Sequence, residues 1–243
     1  GYRNWGQLVL PMLDNTIAAA KAVGARIVLP GTVYNFGPDV FPNFTEDSAQ
    51  RPKTRKGAIR VQMERRLRAA AEEGGTPVII VRAGDFFGGT RANSWFSQAM
   101  VTPGKPIRSV TYPGKSGIGH QWAYLPDVAE TMIRLIEKGD ELPVFAVYHM
   151  RGHWDGDGRQ MIDAVGRVLG HPVKVKAFPW WLVPLAAPFV PFMRELREMS
   201  YLWDVPLQMR NDKLLTALGE EPHTPIDEAV KTSLAAIGCL PAA

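Results

Sequence analysis

Apolar positions Leu10, Leu13, Ile17 and Ala20 recur at helical spacing through residues 8–23, and Gly24 supplies a natural stop. The run Ala25–Leu29 then reads as a short buried strand. A long segment rich in Pro, Gly, Asn and Asp, from Thr32 to Pro52, follows it. Loops of that length are uncommon without a task. From about Lys56 to Glu73 the pattern is helical again: Ile59, Met63 and Leu67 step by four along one face, and Gly74-Gly75 ends it. Thr76–Arg82 is a second apolar strand, with a turn over Ala83–Gly89 behind it. Residues 90–125 are less regular, with turn signals at Pro103-Gly104 and Pro113-Gly114. Asp127 reads as an N-cap for a helix carrying Val128, Met132, Leu135 and Ile136, and Val144–Met150 as a further strand. Asp157 or Gly158 opens a helix with Met161, Ile162, Val165, Val168 and Leu169 inward. Thr224-Pro-Ile-Asp227 marks the start of a last helix, which Gly238 closes. Alternating helices and strands predict an α/β fold, with ligand chemistry at the strands' carboxyl ends.

The helix after the long loop carries a second row. Lys56, Arg60 and Glu64 share one face at four-residue steps. Read plainly, this is a solvated face with Arg60 paired to Glu64, worth a few tenths of a kcal/mol. The alternative is a row of working groups turned towards a ligand.

Composition changes this picture little. The 243-residue chain carries 28 basic and 24 acidic residues, a net charge of +4, and 46% hydrophobic residues, ordinary for a globular protein able to bury a core. The excess suits anionic ligands. The basic run from Arg51 to Arg68 has no aromatic residue interleaved for base stacking, so nucleic acid is not the expected partner. The single Cys239 excludes an internal disulfide, and Gly1–Trp5 lacks the charged and apolar regions of a secretory signal, so a cytoplasmic location is expected. No internal repeat is visible.

Several stretches in order resemble the extended short-chain dehydrogenase/reductases, the NAD-dependent epimerase/dehydratase group. They are Asn15-Thr16 with Ala18–Ala20 and Gly24–Val28, Thr32-Val-Tyr34 through Gly37-Pro38, Val81–Gly88, Trp122–Ala129, and Lys213–Gly219 to Val230. The resemblance covers nearly the whole chain. It implies a Rossmann-like, doubly wound parallel sheet with a smaller carboxyl-terminal α/β substrate region, divided at 1–115 and 116–243 with interleaved elements. It also implies NAD or NADP as cofactor and a sugar-nucleotide-like or other hydroxyl/carbonyl small-molecule substrate. The family's opening strand and glycine-rich phosphate-binding turn have no counterpart ahead of Asn15. The expectation is therefore a chain lacking that βαβαβ portion, on the order of 60–90 residues.

In such enzymes a Tyr serves as acid/base, a Lys four residues on holds the ribose, and a Ser orients the substrate. The matching positions are Lys56, Arg60 and Pro30, with the Thr32 hydroxyl two residues late. Lysine can donate a proton, but its free pKa of about 10.4 must fall by roughly three units before it acts as a base at neutral pH. Arginine stays charged and can clamp ribose or phosphate oxygens with its planar fork. The resemblance thus assigns catalysis to Lys56, Arg60 and Thr32, and the cofactor to Pro30, Lys56, Arg60, Ala83 and Gly84. It assigns the substrate to Tyr34, Asp85, Phe86 and His120. The rival expectation is a non-catalytic NAD(P)-binding or redox-sensing protein that kept the cleft and lost the chemistry.

Two other features have simpler readings. His149 and His153 have the spacing of a helical zinc pair, but Gly152 and the strand before it argue against a helix, and Asp155 and Asp157 suit a helix cap; no metal is assigned. The uncharged, proline-broken segment Phe178–Met193 is too short and interrupted to span a bilayer. It reads as a lid or arm on the substrate region, leading into an amphipathic helix with Leu196, Met199 and Leu202. A membrane-surface or scaffold role is the weaker alternative. The same arm suits burial in a homodimer.

Overall fold

The computed structural model describes residues 5–90 and 94–240; residues 1–4, on which the reading of the chain's opening rests, lie outside them. The elements run α1 (Trp5–Val23), β1 (Ile27–Gly31), β2 (Asn43–Phe44), α2 (Arg55–Glu72), β3 (Val78–Arg82), β4 (Asp85–Phe87), β5 (Ser109–Tyr112), β6 (His120–Tyr124) and α3 (Leu125–Glu137). They continue with β7 (Phe145–His149), β8 (His153–Asp155), α4 (Gln160–Leu169), β9 (Lys174–Ala177), α5 (Leu182–Ala186), α6 (Pro191–Met199), β10 (Gln208–Met209), α7 (Asp212–Leu218) and α8 (Ile226–Ala236).

The central sheet is parallel in the order β1-β3-β7. Every residue of β3 is buried, as expected for a strand covered on both faces. Alternation along it sorts the two layers. Val78 and Ile80 pack with Leu13, Ile59, Met63 and Leu67 of α1 and α2. Ile79 and Val81 pack with Val128, Leu135 and Leu214 of α3 and α7. Burial of each such Val or Ile stabilises by roughly 1.5–3 kcal/mol. The result is the Rossmann-like, doubly wound arrangement. β1 and β7 are the outer strands among the described residues: β1 pairs with β3 alone, and Pro30 lies exposed on it.

A second layer continues from the carboxyl end of β3. β4 pairs with β6 in parallel and β6 with β8 antiparallel. Their aromatic core, built from Phe87, Trp122 and Tyr124, is closed by Met161 and Val165 of α4 and by Val230 and Leu234 of α8. Gln121 ties the layers together: its amide donates to the carbonyls of Met150 (3.0 Å) and Arg151 (2.6 Å), and its Oε1 accepts from Met209 N (2.9 Å).

Three details differ from the sequence reading. Glu64 does not pair with Arg60. It turns inward, 5% exposed, and takes a fork of two bonds from Arg82, Nε to Oε1 at 3.0 Å and Nη2 to Oε2 at 2.5 Å. The row is therefore not a solvated face, since Lys56 is only 8% exposed. Asp127 does not cap α3, which starts at Leu125. Its carboxylate instead accepts from Thr224 N (2.9 Å) and Thr224 Oγ1 (2.6 Å), so Thr224 is not the cap of α8 either. The helix-capping use of Asp155 and Asp157 does hold: Asp155 accepts from Gln160 N and Met161 N at 3.1 Å each, and Asp157 from Arg159 N at 2.9 Å.

The Glu64–Arg82 pair joins α2 to the end of the central strand. Removing one partner strands a buried charge, so Arg82→Met is expected to cost about 3–5 kcal/mol in urea unfolding, with most of it restored in Glu64→Leu/Arg82→Met. A single variant within about 1 kcal/mol of the parent would contradict a tightly buried pair.

Candidate functional site

The long loop packs over the carboxyl ends of the central strands. Phe36 and Phe44 lie edge-on to the His149 ring at 5.8 and 5.6 Å, and Glu46 accepts from His149 N at 2.7 Å. Arg82 Nη1 meets His149 Nε2 at 2.9 Å. Burial, and then the Arg82 and Lys213 charges, hold the His149 imidazole well below its usual range, so it stays neutral. Burial likewise pushes the Glu46 carboxyl upward. The loop's task is thus to seal the sheet end above the Glu64–Arg82 pair.

At the start of that loop Thr32 caps a short 3-10 turn, its Oγ1 accepting from Tyr34 N at 3.4 Å. The amino end of α2 presses on this turn. A side chain at Gly57 would run into the Tyr34 carbonyl, so only glycine permits the approach. Thr54 caps the helix by accepting from Gly57 N at 2.9 Å. Thr32, Tyr34 and Lys56 are gathered in this way. Arg60 reaches the carboxyl end of β1: its Nη1 lies 3.5 Å from the Pro30 carbonyl, and its guanidinium sits 5.2 Å from the Trp5 ring centroid.

The surprise is α6. Glu195 Oε2 lies 2.6 Å from Lys56 Nζ. One turn on, Glu198 accepts from the backbone amides of Arg55 and Lys56. Two carboxylates thus answer the positive amino end of α2 and its lysine. The apolar spacing of Leu196, Met199 and Leu202 was legible in the sequence: Met199 and Leu202 are buried and Leu196 half-buried, with Leu202 in the 3-10 turn after α6; the acidic partners were not legible.

The second group lies where β3 runs into β4. Asp85 Oδ2 is 2.8 Å from His120 Nε2, and the His120 ring stacks on Trp203 with centroids 3.8 Å apart and planes 9° from parallel. Trp203 follows α6 directly, so the same arm reaches both the Lys56 and the Asp85–His120 groups. Around this stack the Tyr112 hydroxyl and the indole nitrogens of Trp122 and Trp203 are buried without a hydrogen-bond partner. Ala83 is buried, and a side chain at Gly84 would collide with the Gln121 carbonyl, so both positions serve close packing. Phe86 is partly buried against the core beneath β3. A cavity of about 400 Å³ lies apart from these groups, opening on Glu46, Glu64, Arg65, Arg68, Arg82 and Lys213. The arm itself holds no crossing segment: among the described residues no helix is long and apolar enough to span a membrane.

Comparison with known proteins gives these positions a context. The family model described as "NAD dependent epimerase/dehydratase family" matches residues 10–150, which include Thr32, Lys56, Arg60, Asp85 and His120. No curated protein matches the sequence. Among solved structures, a UDP-galactose 4-epimerase is similar over 93% of this chain and 67% of its own, at 17% identity and a TM-score of 0.65. MoeE5, in complex with UDP-glucose and NAD, is similar over 97% and 75%, at 16% identity and 0.70. RMD from Pseudomonas aeruginosa, complexed with NADPH, is similar over 93% and 71%, at 15% identity and 0.65. These likenesses establish the fold.

The electrostatics give a test. A histidine kept neutral in the folded state binds fewer protons than in the unfolded chain, so its contribution is present above about pH 6.5 and is lost as pH falls below it. Stability of the parent is expected to fall with a slope steeper by up to about 1.4 kcal/mol per pH unit than that of His149→Phe between pH 6.5 and 5. Parallel curves would contradict a neutral buried His149.

Proposed function

The chain belongs to the NAD dependent epimerase/dehydratase family, and we propose that it binds NAD or NADP and acts on a sugar-nucleotide-like or related hydroxyl/carbonyl substrate, with Lys56 and Arg60 in the family's Tyr and Lys positions. The observation that carries this reading is that Arg60 reaches the Pro30 carbonyl and Thr32 caps the turn directly after β1, at the sheet end where α/β folds place their ligands, with the amino end of α2, which carries Lys56, packed on that turn. The residues fit the ribose end of such a nucleotide: Arg60 offers a planar fork of donors there, and Thr32 a hydroxyl. Bound, the nicotinamide would supply hydride exchange at the substrate carbon.

The chain's own groups would do the rest. Lys56, held by Glu195, can hand a proton to a developing alkoxide; the amine so left takes a proton back from solvent, with the Glu195 carboxylate positioning it. Asp85 and His120 present a hydrogen-bonded pair to a polar substrate, and the unpartnered Tyr112 hydroxyl and Trp203 indole supply further hydrogen-bonding capacity beside them. The free, buried Cys239 is in keeping with a cytoplasmic setting.

One observation favours a second reading. The 2.6 Å contact of Lys56 with Glu195 also suits a purely structural clamp, in which α6 locks the cleft and the protein binds nucleotide without turnover.

Titrating the intact protein with NADH and NADPH, read by nucleotide fluorescence, tests binding. Saturation with one of them, weakened about tenfold or more (about 1.4 kcal/mol) in Arg60→Met, is expected. No saturable change with either would remove the proposal. Turnover of sugar nucleotides that drops about 100-fold or more in Lys56→Ala would establish the catalytic reading, and binding without turnover in the parent the second one.

A further inference from the structure

A cluster of metal-ligating groups lies away from the catalytic position, where three distant segments meet. Asp127 comes from the first turn of α3, His153 opens β8, and His223 precedes α8. One donor atom from each lies within 4.8 Å of the other two. The spacing of His149 and His153 did not support a metal pair in the sequence; the fold instead brings His153 to His223, with ring centroids 4.4 Å apart and planes inclined at 42°.

The second observation is at His153 itself. The residue is 7% exposed, and its Nε2 is buried with no hydrogen-bond partner. Buried polar atoms are ordinarily satisfied, so an orphan within a set of ligating groups points to a missing partner. The surroundings are those of a held site. The Asp127 carboxylate is oriented by Thr224 N and Oγ1, as metal-ligating carboxylates commonly are. Glu221 accepts from Arg151 N (2.9 Å) and Gly152 N (2.6 Å), latching the segment that carries His223 to the one that carries His153. Phe87 closes one side, edge-on to the His153 ring at 5.6 Å. His223 is exposed, which leaves a solvent-facing position for a fourth ligand.

We infer that Asp127, His153 and His223 form a binding site for a divalent transition metal, with zinc the ion that two imidazoles and one carboxylate suit best. A tetrahedral centre with bonds of about 2.0–2.2 Å needs donors about 3.3–3.6 Å apart. The three donors, all within 4.8 Å of one another, are compatible with that spacing, and the exposed His223 ring can turn to meet it. The ion would pin the start of α3, β8 and the approach to α8 to one another. This site is independent of the nucleotide reading.

The test uses the intact protein, freed of any histidine tag and stripped with a chelator, titrated with Co²⁺ and then displaced by Zn²⁺. One equivalent of Co²⁺ is expected to develop visible ligand-field bands that Zn²⁺ abolishes, and Zn²⁺ is expected to raise the melting temperature. His223→Gln and His153→Gln should each weaken binding tenfold or more, and His171→Gln, at an exposed histidine elsewhere, should leave it unchanged. His223 is exposed, so its variant carries the test if His153→Gln fails to fold, which circular dichroism would show. No saturable bands in the parent, or equal binding in His223→Gln, would overturn the site.

Discussion

The carboxyl end of the central sheet is organised around the bond between Glu64 and Arg82. Arg82 closes the central strand and is 1% exposed, so its charge needs a partner in the interior. Glu64 supplies it with two parallel bonds, and Gln50 of the long loop donates to the same carboxylate at 3.1 Å. Because Glu64 is committed to Arg82, it is not the partner of Arg60. The helix row is split: Glu64 builds the scaffold, Arg60 reaches the end of β1, and Lys56 meets Glu195 of α6. His149, kept neutral on the far side of Arg82, completes the seal without adding a second buried charge.

The carboxyl-terminal arm is the second determinant. It leaves Trp181 (69%), Leu185 (64%) and Phe189 (84%) exposed, yet its end is anchored at three points: Glu195 on Lys56, Glu198 on the amino end of α2, and Trp203 on His120. One short segment therefore touches both Lys56 and the Asp85–His120 pair. Lys56 can sit buried at the amino end of α2 because its charge is matched by a carboxylate reached across most of the chain.

What could be read from the sequence followed physical range. The layered α/β core was legible because β3 is a continuous apolar run, α1 and α2 step by three and four, and glycines stop both helices. That Thr32 directly follows β1 and Asp85 follows β3 could be read from their order along the chain. Pairings such as Ser109 with Lys174, or Asn43 with Gln208, were not legible, because strands of two to four residues carry too little periodicity and their partners lie far along the chain. Glu195, Trp203 and the Asp127–His153–His223 cluster escaped for the same reason. Helical spacing reveals which residues face inward, but not which charge or ring awaits them. Asp127 misled because a carboxylate beside a helix start looks like a cap, whereas here it holds Thr224 at the start of the last helix.

In the function proposed above, Lys56 and Arg60 line a nucleotide cleft beside the Glu64–Arg82 pair, near the end of β1. The most direct measurement of this is a crystal structure of the intact protein with NADH. The account predicts the nicotinamide ribose against Arg60 and Thr32, with Lys56 facing the reactive carbon. Nucleotide bound in the cavity beside Arg65 and Arg68 instead, with the β1 end closed by the Lys56–Glu195 contact, would contradict it.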